Sequence, residues 1–381
     1  MLYSFTVIIS FFLFIFDPWF FGVGRGVIIS AALVLPIIIL GHKKVYIDIK
    51  LMLALMLFTI LSILPAIYNG TAESGVFFMY VKMVIYFFIS ATLASVIRDT
   101  VHFRQLLNKS ILIQFLVMAL CLLSVPYLID FAYSVHTADS KFYNSEQAYR
   151  LFFITSSAFF QFSLFWGFMF NFYLASYNNE KSYATLFIVF LTAFCGLMSG
   201  RSFMVFAAIS VFFHGMKIKY IPYYIIVIAL ISYIIYLYQD NIYAVHAMEP
   251  ILNFMSKGEL ETSSSDSLLE RHLFWPNEIQ LLIGDGVYYN SDGSYYGHTD
   301  SGFVRQALYG GFLYVILCMS FFSYLIYRAA FNWFSDSQAW SFFLSTSMIA
   351  FLGNIKADVY MYPALLMNII FLMLSIRNVK K

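Results

Sequence analysis

The chain has 381 residues, of which 61% are hydrophobic and only 11% are Asp, Glu, Lys or Arg, with a formal net charge of +2. A soluble globular domain cannot keep such a balance in water, so the solvent for this chain is lipid. At roughly 20 apolar residues per crossing, the length outside the loops accommodates about ten to twelve spans in a single membrane domain, 1–381, with no separate soluble domain.

Apolar runs of helical length fall at 2–16, 27–41, 51–68, 76–97, 111–129, 151–177, 183–198, 203–215, 221–238, 302–327, 339–353 and 359–376. The first lacks a basic leader and a small-residue cleavage site, so it reads as a retained helix. Residues 182–215 would be about 50 Å long as one helix, too long for a hydrocarbon core of about 30 Å. A break at Gly196–Ser202 therefore predicts two short helices. Cys121, Cys195 and Cys318 all sit inside apolar runs, where they act as small hydrophobes.

Charge supports that count. With twelve spans and both termini inside, the inner segments hold Lys43, Lys44, Lys50, Arg98, Arg104, Lys109, Lys181, Lys217, Lys219, Arg328 and the Arg377–Lys381 tail, against only Asp48, Asp99, Glu180 and Asp336. Most acids then fall outside, as the positive-inside rule requires. Merging the two short helices would move Lys217, Lys219 and the tail outside.

Two outer loops result, a smaller one at 130–150 and a large one at 239–300. In the large loop, Ile251–Met255 has the apolar pattern of a short amphipathic helix. Ser267-Leu-Leu-Glu270 has capping-box form at the head of a periodic run that reaches Leu282, with Pro276 as a kink. Residues 284–297 (GDGVYYNSDGSYYG) predict an ordered, turn-rich loop.

Each helix that begins at the outer face carries a nearby base: Arg25, Lys82, Arg150, Arg201, Arg305 and Lys356. A cation at a helix N-terminus is locally unfavourable by a few tenths to about 1 kcal/mol, and a bound anion reverses the sign. Guanidinium forks suit phosphate or diphosphate; alternatively the chains snorkel to lipid phosphates or pair with outer acids, the preferred reading for Arg25 and Lys356. Arg201 sits in Ser-Gly-Arg-Ser between two short helices. Lys82 lies well inside an apolar run, a depth at which charges face a cavity or a partner. His298 and Asp300 precede the tenth span, either as a base with its orienting carboxylate or as a helix cap with a solvated neighbour. Tyr288, Tyr289, Tyr295 and Tyr296 offer flat faces for sugar rings or form part of an interfacial belt. No metal spacing, Walker loop, GxSxG elbow or CxxC occurs, and nothing points to nucleotide or nucleic acid.

Taken together, the chain resembles the bacterial polysaccharide polymerases and ligases that use lipid-linked sugars, and most of all the Wzy-type O-antigen polymerases. The resemblance rests on Tyr149-Arg150-Leu-Phe before a small-polar run, Ser199-Gly-Arg201-Ser, Leu269-Glu270-Arg271 leading to Gly284-Asp-Gly286, and His298-Thr-Asp300-Ser-Gly302 followed by Gly310-Gly311. It covers nearly the whole chain, with architecture carrying more of it than any short motif. It implies an all-α inner-membrane glycosyltransferase of C-type architecture, without metal or other cofactor, acting at the periplasmic face on undecaprenyl-diphosphate-linked oligosaccharide. Arg150, Arg201 and Arg271 would hold the diphosphate, with Arg305 and Lys82 added from their positions, and His298 with Asp300 would deprotonate the acceptor hydroxyl. Membrane lipid, a chain-length regulator and the flippase of the same pathway are the implied partners. An O-antigen ligase, which transfers polymer to lipid A-core, is the nearest alternative. A lipid-linked oligosaccharide flippase or transporter also fits twelve spans, but transporters place their charges near the midplane and keep outer loops short.

Overall fold

In lipid a chain must satisfy its own backbone hydrogen bonds, so apolar runs of this length fold as helices. The computed structural model describes residues 2–20, 23–143, 145–215, 233, 241–247, 249–258, 266, 268–361 and 365–376. The predicted ninth span (221–238, Tyr233 apart), Ser267 and the tail from Arg377 lie outside the described residues. The helices are α1 (Leu2–Phe16), α2 (Gly26–Leu40), α3 (Ile49–Leu61), α4 (Leu64–Tyr68), α5 (Gly75–Ala94), α6 (Thr100–Leu122), α7 (Pro126–Ser134), α8 (Phe159–Glu180), α9 (Tyr183–Ser199), α10 (Ser202–Gly215), α11 (Ile242–Ala247), α12 (Glu249–Lys257), α13 (Glu278–Ile283), α14 (Gly302–Trp333), α15 (Asp336–Lys356) and α16 (Leu365–Ser375).

Among the described residues, the near-continuous stretch Ile49–Tyr68 and helices α5, α6 and α14 are long and apolar enough to cross a membrane, and α1, α2, α9, α10 and α16 are shorter apolar helices. This is an all-α membrane architecture, with one two-residue ribbon (Trp19–Phe20 with Gly24–Arg25) joining α1 to α2. Large apolar side chains such as Ile39, Leu40, Phe187 and Leu313 stand exposed on its flanks, as a lipid-facing surface requires.

The core lies around α8 and α16. Leu365 to Met373 are buried on every side, and α8 packs on α9, α10, α15 and α16. Polar side chains link these helices: Asn171 donates to Ser345 (2.8 Å) and Thr346 (3.0 Å), and His214 lies 3.2 Å from Ser345. Each such bond within a membrane contributes about 0.6 kcal/mol. The expected break between α9 and α10 is present at Gly200-Arg201.

Three expectations need correction. The sixth helix begins at Phe159, not 151: residues 152–158 are not helical, because Gln114 of α6 pairs with the Ile154 peptide through both amide atoms (2.7 and 2.9 Å) and Thr155 donates to the Phe16 carbonyl (2.7 Å). The fifth begins at Thr100, capped by Asp99, so the run 100–110 read as a loop is helical. The run 267–282 is not one helix: a π-helical turn, Leu268–His272, is followed by Pro276, and Asn277 starts α13 with its own capping box to Gln280.

Helix α14 is broken at Gly310-Gly311, and this break positions the long loop. The interrupted ladder frees the carbonyls of Leu308 and Tyr309, which accept the amides of Asp285 (2.6 Å) and Gly286 (2.9 Å). A Cβ on Gly284 would stand 2.5 Å from the Tyr309 backbone, and one on Gly311 2.5 Å from the Leu282 carbonyl, so only glycines permit this approach. The same place meets the α3–α4 kink, since Tyr309 donates to the Ser62 carbonyl at 2.8 Å and Thr71 to the Gly286 carbonyl at 2.6 Å. Within a membrane protein such non-helical backbone is tolerated where protein encloses it.

Candidate functional site

Charged groups collect at the end of the bundle where α1 ends and α2, α5, α10 and α14 begin. There a cavity of about 460 Å³ opens between Gln161 of α8, Asp300 and Arg305 at the head of α14, Lys356 at the end of α15, and Leu268, His272 and Tyr295 of the long loop.

Arg305 is 5% exposed. Its guanidinium lies 3.9 Å from the Tyr295 ring centre and 5.6 Å from that of Tyr288, and Nη2 donates to the Asp300 carbonyl at 3.1 Å. Beneath it Tyr288 donates to Asp358 (2.6 Å), whose other oxygen accepts Gln306 (2.8 Å) and the Met361 amide (3.0 Å). The guanidinium is therefore fixed in place before any ligand arrives, with a flat aromatic face beside it.

Asp300 is not paired with His298. Its amide donates to Nδ1 of His272 at 3.1 Å, and its carboxylate lies 3.7 Å from Nε2 of the same ring. Because Nδ1 accepts, a neutral His272 carries its proton on Nε2, facing the carboxylate. The Asp300 side chain remains 61% exposed at the cavity. His298 is exposed, adopts φ +50°, and acts electrostatically on Asp292 at the tip of the tyrosine loop. The loop brings His272 to Asp300 through the turn at 268–272, a long-range contact with no local sequence signal.

Arg150 lies in a short 3₁₀ turn, Ala148–Leu151, well before α8, and is buried against Tyr149, Gln147 and His246. Arg201 pairs with Glu249 at the start of α12. Arg150 and Arg201 are close enough to act on each other and on Lys356. His246 between them accepts from Tyr149 or Arg150, and burial together with both guanidinium groups holds its pKa down to about 4, so it is neutral at pH 7. Lys356 ends α15 instead of starting the next helix, a position where the helix dipole favours a cation, and it faces the cavity instead of snorkelling to lipid.

The structure does not bring every expected residue together. Arg271 is exposed on the 268–272 turn, whose His272 reaches the cavity in its place. Of the four tyrosines only Tyr295 lines the cavity: Tyr288 is buried on Asp358, Tyr289 stacks on Tyr295 at 5.6 Å, and Tyr296 donates to Asp285 at 3.0 Å. Lys82 lines a separate space with Arg25 and Asp17, where Arg25 donates to Ser156 (2.8 Å) and Asp17 (3.5 Å). His272, His246, Glu249 and Asp358 were not singled out from sequence, since each owes its place to contacts far along the chain. Among the described residues no group of three His, Cys, Asp or Glu side chains could hold a metal ion.

Chemically, the arrangement offers a fixed guanidinium and a lysine with two more guanidiniums nearby, an exposed carboxylate beside an imidazole, and an aromatic face. No protein-family model matches this chain, and no curated protein matches it.

Proposed function

We propose that the chain is an O-antigen-type polysaccharide polymerase of the bacterial inner membrane, with twelve spans, both termini cytoplasmic and the 239–300 loop periplasmic. The observation that carries this reading is the cavity in which Arg305 and Lys356 face Asp300. The topology draws support from the ion pairs: the five that Arg and Lys make among the described residues, from Arg25–Asp17 at one end to Arg328–Asp48 at the other, join residues that the charge distribution assigns to the same side.

In this reading the donor is the growing glycan on undecaprenyl diphosphate. Arg305 and Lys356, with Arg150 and Arg201 behind them, stabilise the charge that develops on the departing diphosphate. Asp300 takes the proton of the acceptor hydroxyl, and its backbone is held in place by the bond from its amide to His272 Nδ1. The acceptor oxygen bonds to the anomeric carbon, and the bond to phosphate oxygen breaks with its electron pair leaving on the diphosphate. Tyr295 supplies a face for a sugar ring. His298 has no part in this scheme, and Arg271 no direct one.

Deletion of the gene, followed by gel analysis of the surface polysaccharide, tests the assignment. Single repeat units on lipid A-core are expected, with long chains restored by the native gene and not by one carrying Arg305→Gln. Bare core would instead indicate a ligase or a flippase.

A further inference from the structure

A short helix in the long loop turns an apolar face outward. Ile279, Leu282 and Ile283 stand at i, i+3 and i+4 of α13, on one side of it, and Ile279 and Leu282 are 67% and 72% exposed. The polar side chains of α13 are engaged elsewhere. Gln280 donates to Asp285 at 2.7 Å and accepts the Asn277 amide at 3.1 Å, while Asn277 and Glu278 stand together at the N-terminal end. Just ahead of that end Trp275 is 85% exposed. Large apolar groups gathered on a surface in this way mark a contact with an apolar partner.

The position of α13 on α14 identifies the partner. The C-terminal end of α13 meets the helix break, where the Leu282 carbonyl would stand 2.5 Å from a Cβ on Gly311. The next two residues of α14, Phe312 and Leu313, are exposed, and Leu313 belongs to the lipid-facing flank. The apolar face of α13 therefore adjoins that flank. Further along α14, Arg328 pairs with Asp48 in a partly exposed ion pair, which belongs at a water face. The seventeen residues from Gly311 to Arg328 make about 26 Å of helix, less than the roughly 30 Å of hydrocarbon between two water faces. Gly311 and the end of α13 thus lie at hydrocarbon depth.

We propose that α13 is a re-entrant membrane element, its apolar face seated among the acyl chains of the leaflet at the cavity's end of the bundle and Trp275 anchoring it at the headgroup level. The seat ties the cavity to the bilayer, because the turn just before Pro276 supplies Leu268 and His272 to the cavity wall. A ligand whose head group enters the cavity then keeps its hydrocarbon in the same leaflet. The inference stands on the apolar face and its depth, apart from the polymerase reading.

The test places a nitroxide on one added cysteine of the full-length protein in phosphatidylcholine nanodiscs. It compares collisions with oxygen, which concentrates in hydrocarbon, and with a nickel chelate, which stays in water. Cys121, Cys195 and Cys318 are buried, so the label goes to the added thiol. At Ile279→Cys and Leu282→Cys oxygen access should exceed nickel access, as at Leu313→Cys, with the order reversed at Asp292→Cys on the exposed tip of the tyrosine loop. Should a labelled variant fail to fold, quenching of tryptophan emission by brominated acyl chains reports the same seat. Part of that quenching should vanish in Trp275→Phe, and none vanishing counts against the proposal. Nickel access at 279 and 282 equal to that at 292 overturns it, as does poor access to both agents, which would mark a second protein surface on that face. No turnover is measured, so a failed insertion and a failed polymerase assay are separate results.

Discussion

The amide of Gly286 donates to the carbonyl of Tyr309 at 2.9 Å, joining the long loop to the break in α14. Two glycine motifs far apart in the chain thereby form one backbone-to-backbone joint that carries Tyr295 and His272 to Asp300. Gly311→Ala meets both a φ of +71° and the Leu282 carbonyl at 2.5 Å. It should cost about 3 kcal/mol or more. Gly293→Ala, at φ +80° with nothing within 4 Å, should cost only about 1 kcal/mol. Thermal unfolding in detergent checks the contrast.

Asp300→Asn should lower chain extension by about 10²–10⁴-fold without loss of protein, the usual worth of a positioned base. His298→Ala should stay within a few-fold of native. Polymer length in cells and the rate with purified protein measure both, and the reverse order would restore His298 as the base.

Arg305→Gln should lower the rate about 10²–10³-fold, as expected for a group that stabilises a leaving anion. Arg305→Lys keeps the charge but loses the guanidinium that lies over the Tyr295 ring, and should fall between Gln and native. Arg271→Gln should leave the rate within a few-fold, since its side chain is exposed outside the cavity.

How far this was legible in the sequence follows from the range of the interactions. The helical runs and the split at Gly200-Arg201 depend on local hydropathy and glycine, and they were readable. Residues 152–158 were not, since their apolar pattern is helical and bonds from far along the chain, from Gln114 to the Ile154 peptide and from Thr155 to Phe16, hold them out of the helix. The cationic cluster was visible as a set of outer bases, and Asp300 was marked. Its partner was misassigned because His298 is near in sequence while His272 is near in space. Arg271 entered through the resemblance and His272 carried no signal of its own, although the turn directs the histidine to the cavity.

Stability should fall in acid through His136. Burial holds its pKa near about 4, against an ordinary value of 6.5, while its Nε2 lies 2.9 Å from the Leu151 carbonyl. Between those values the unfolded chain binds a proton that the folded one does not, so stability falls as pH drops from 6.5 to about 4 and this contribution is flat below. The unfolding midpoint should decline over that window, and His136→Gln should flatten the slope.

The most direct test is reconstitution of the purified protein with one defined undecaprenyl-diphosphate-linked repeat unit and no other enzyme. A ladder of products, each longer by one unit, with release of undecaprenyl diphosphate and loss of both in Arg305→Gln, is the predicted result. Recovery of the starting unit unchanged by the native protein would contradict the account.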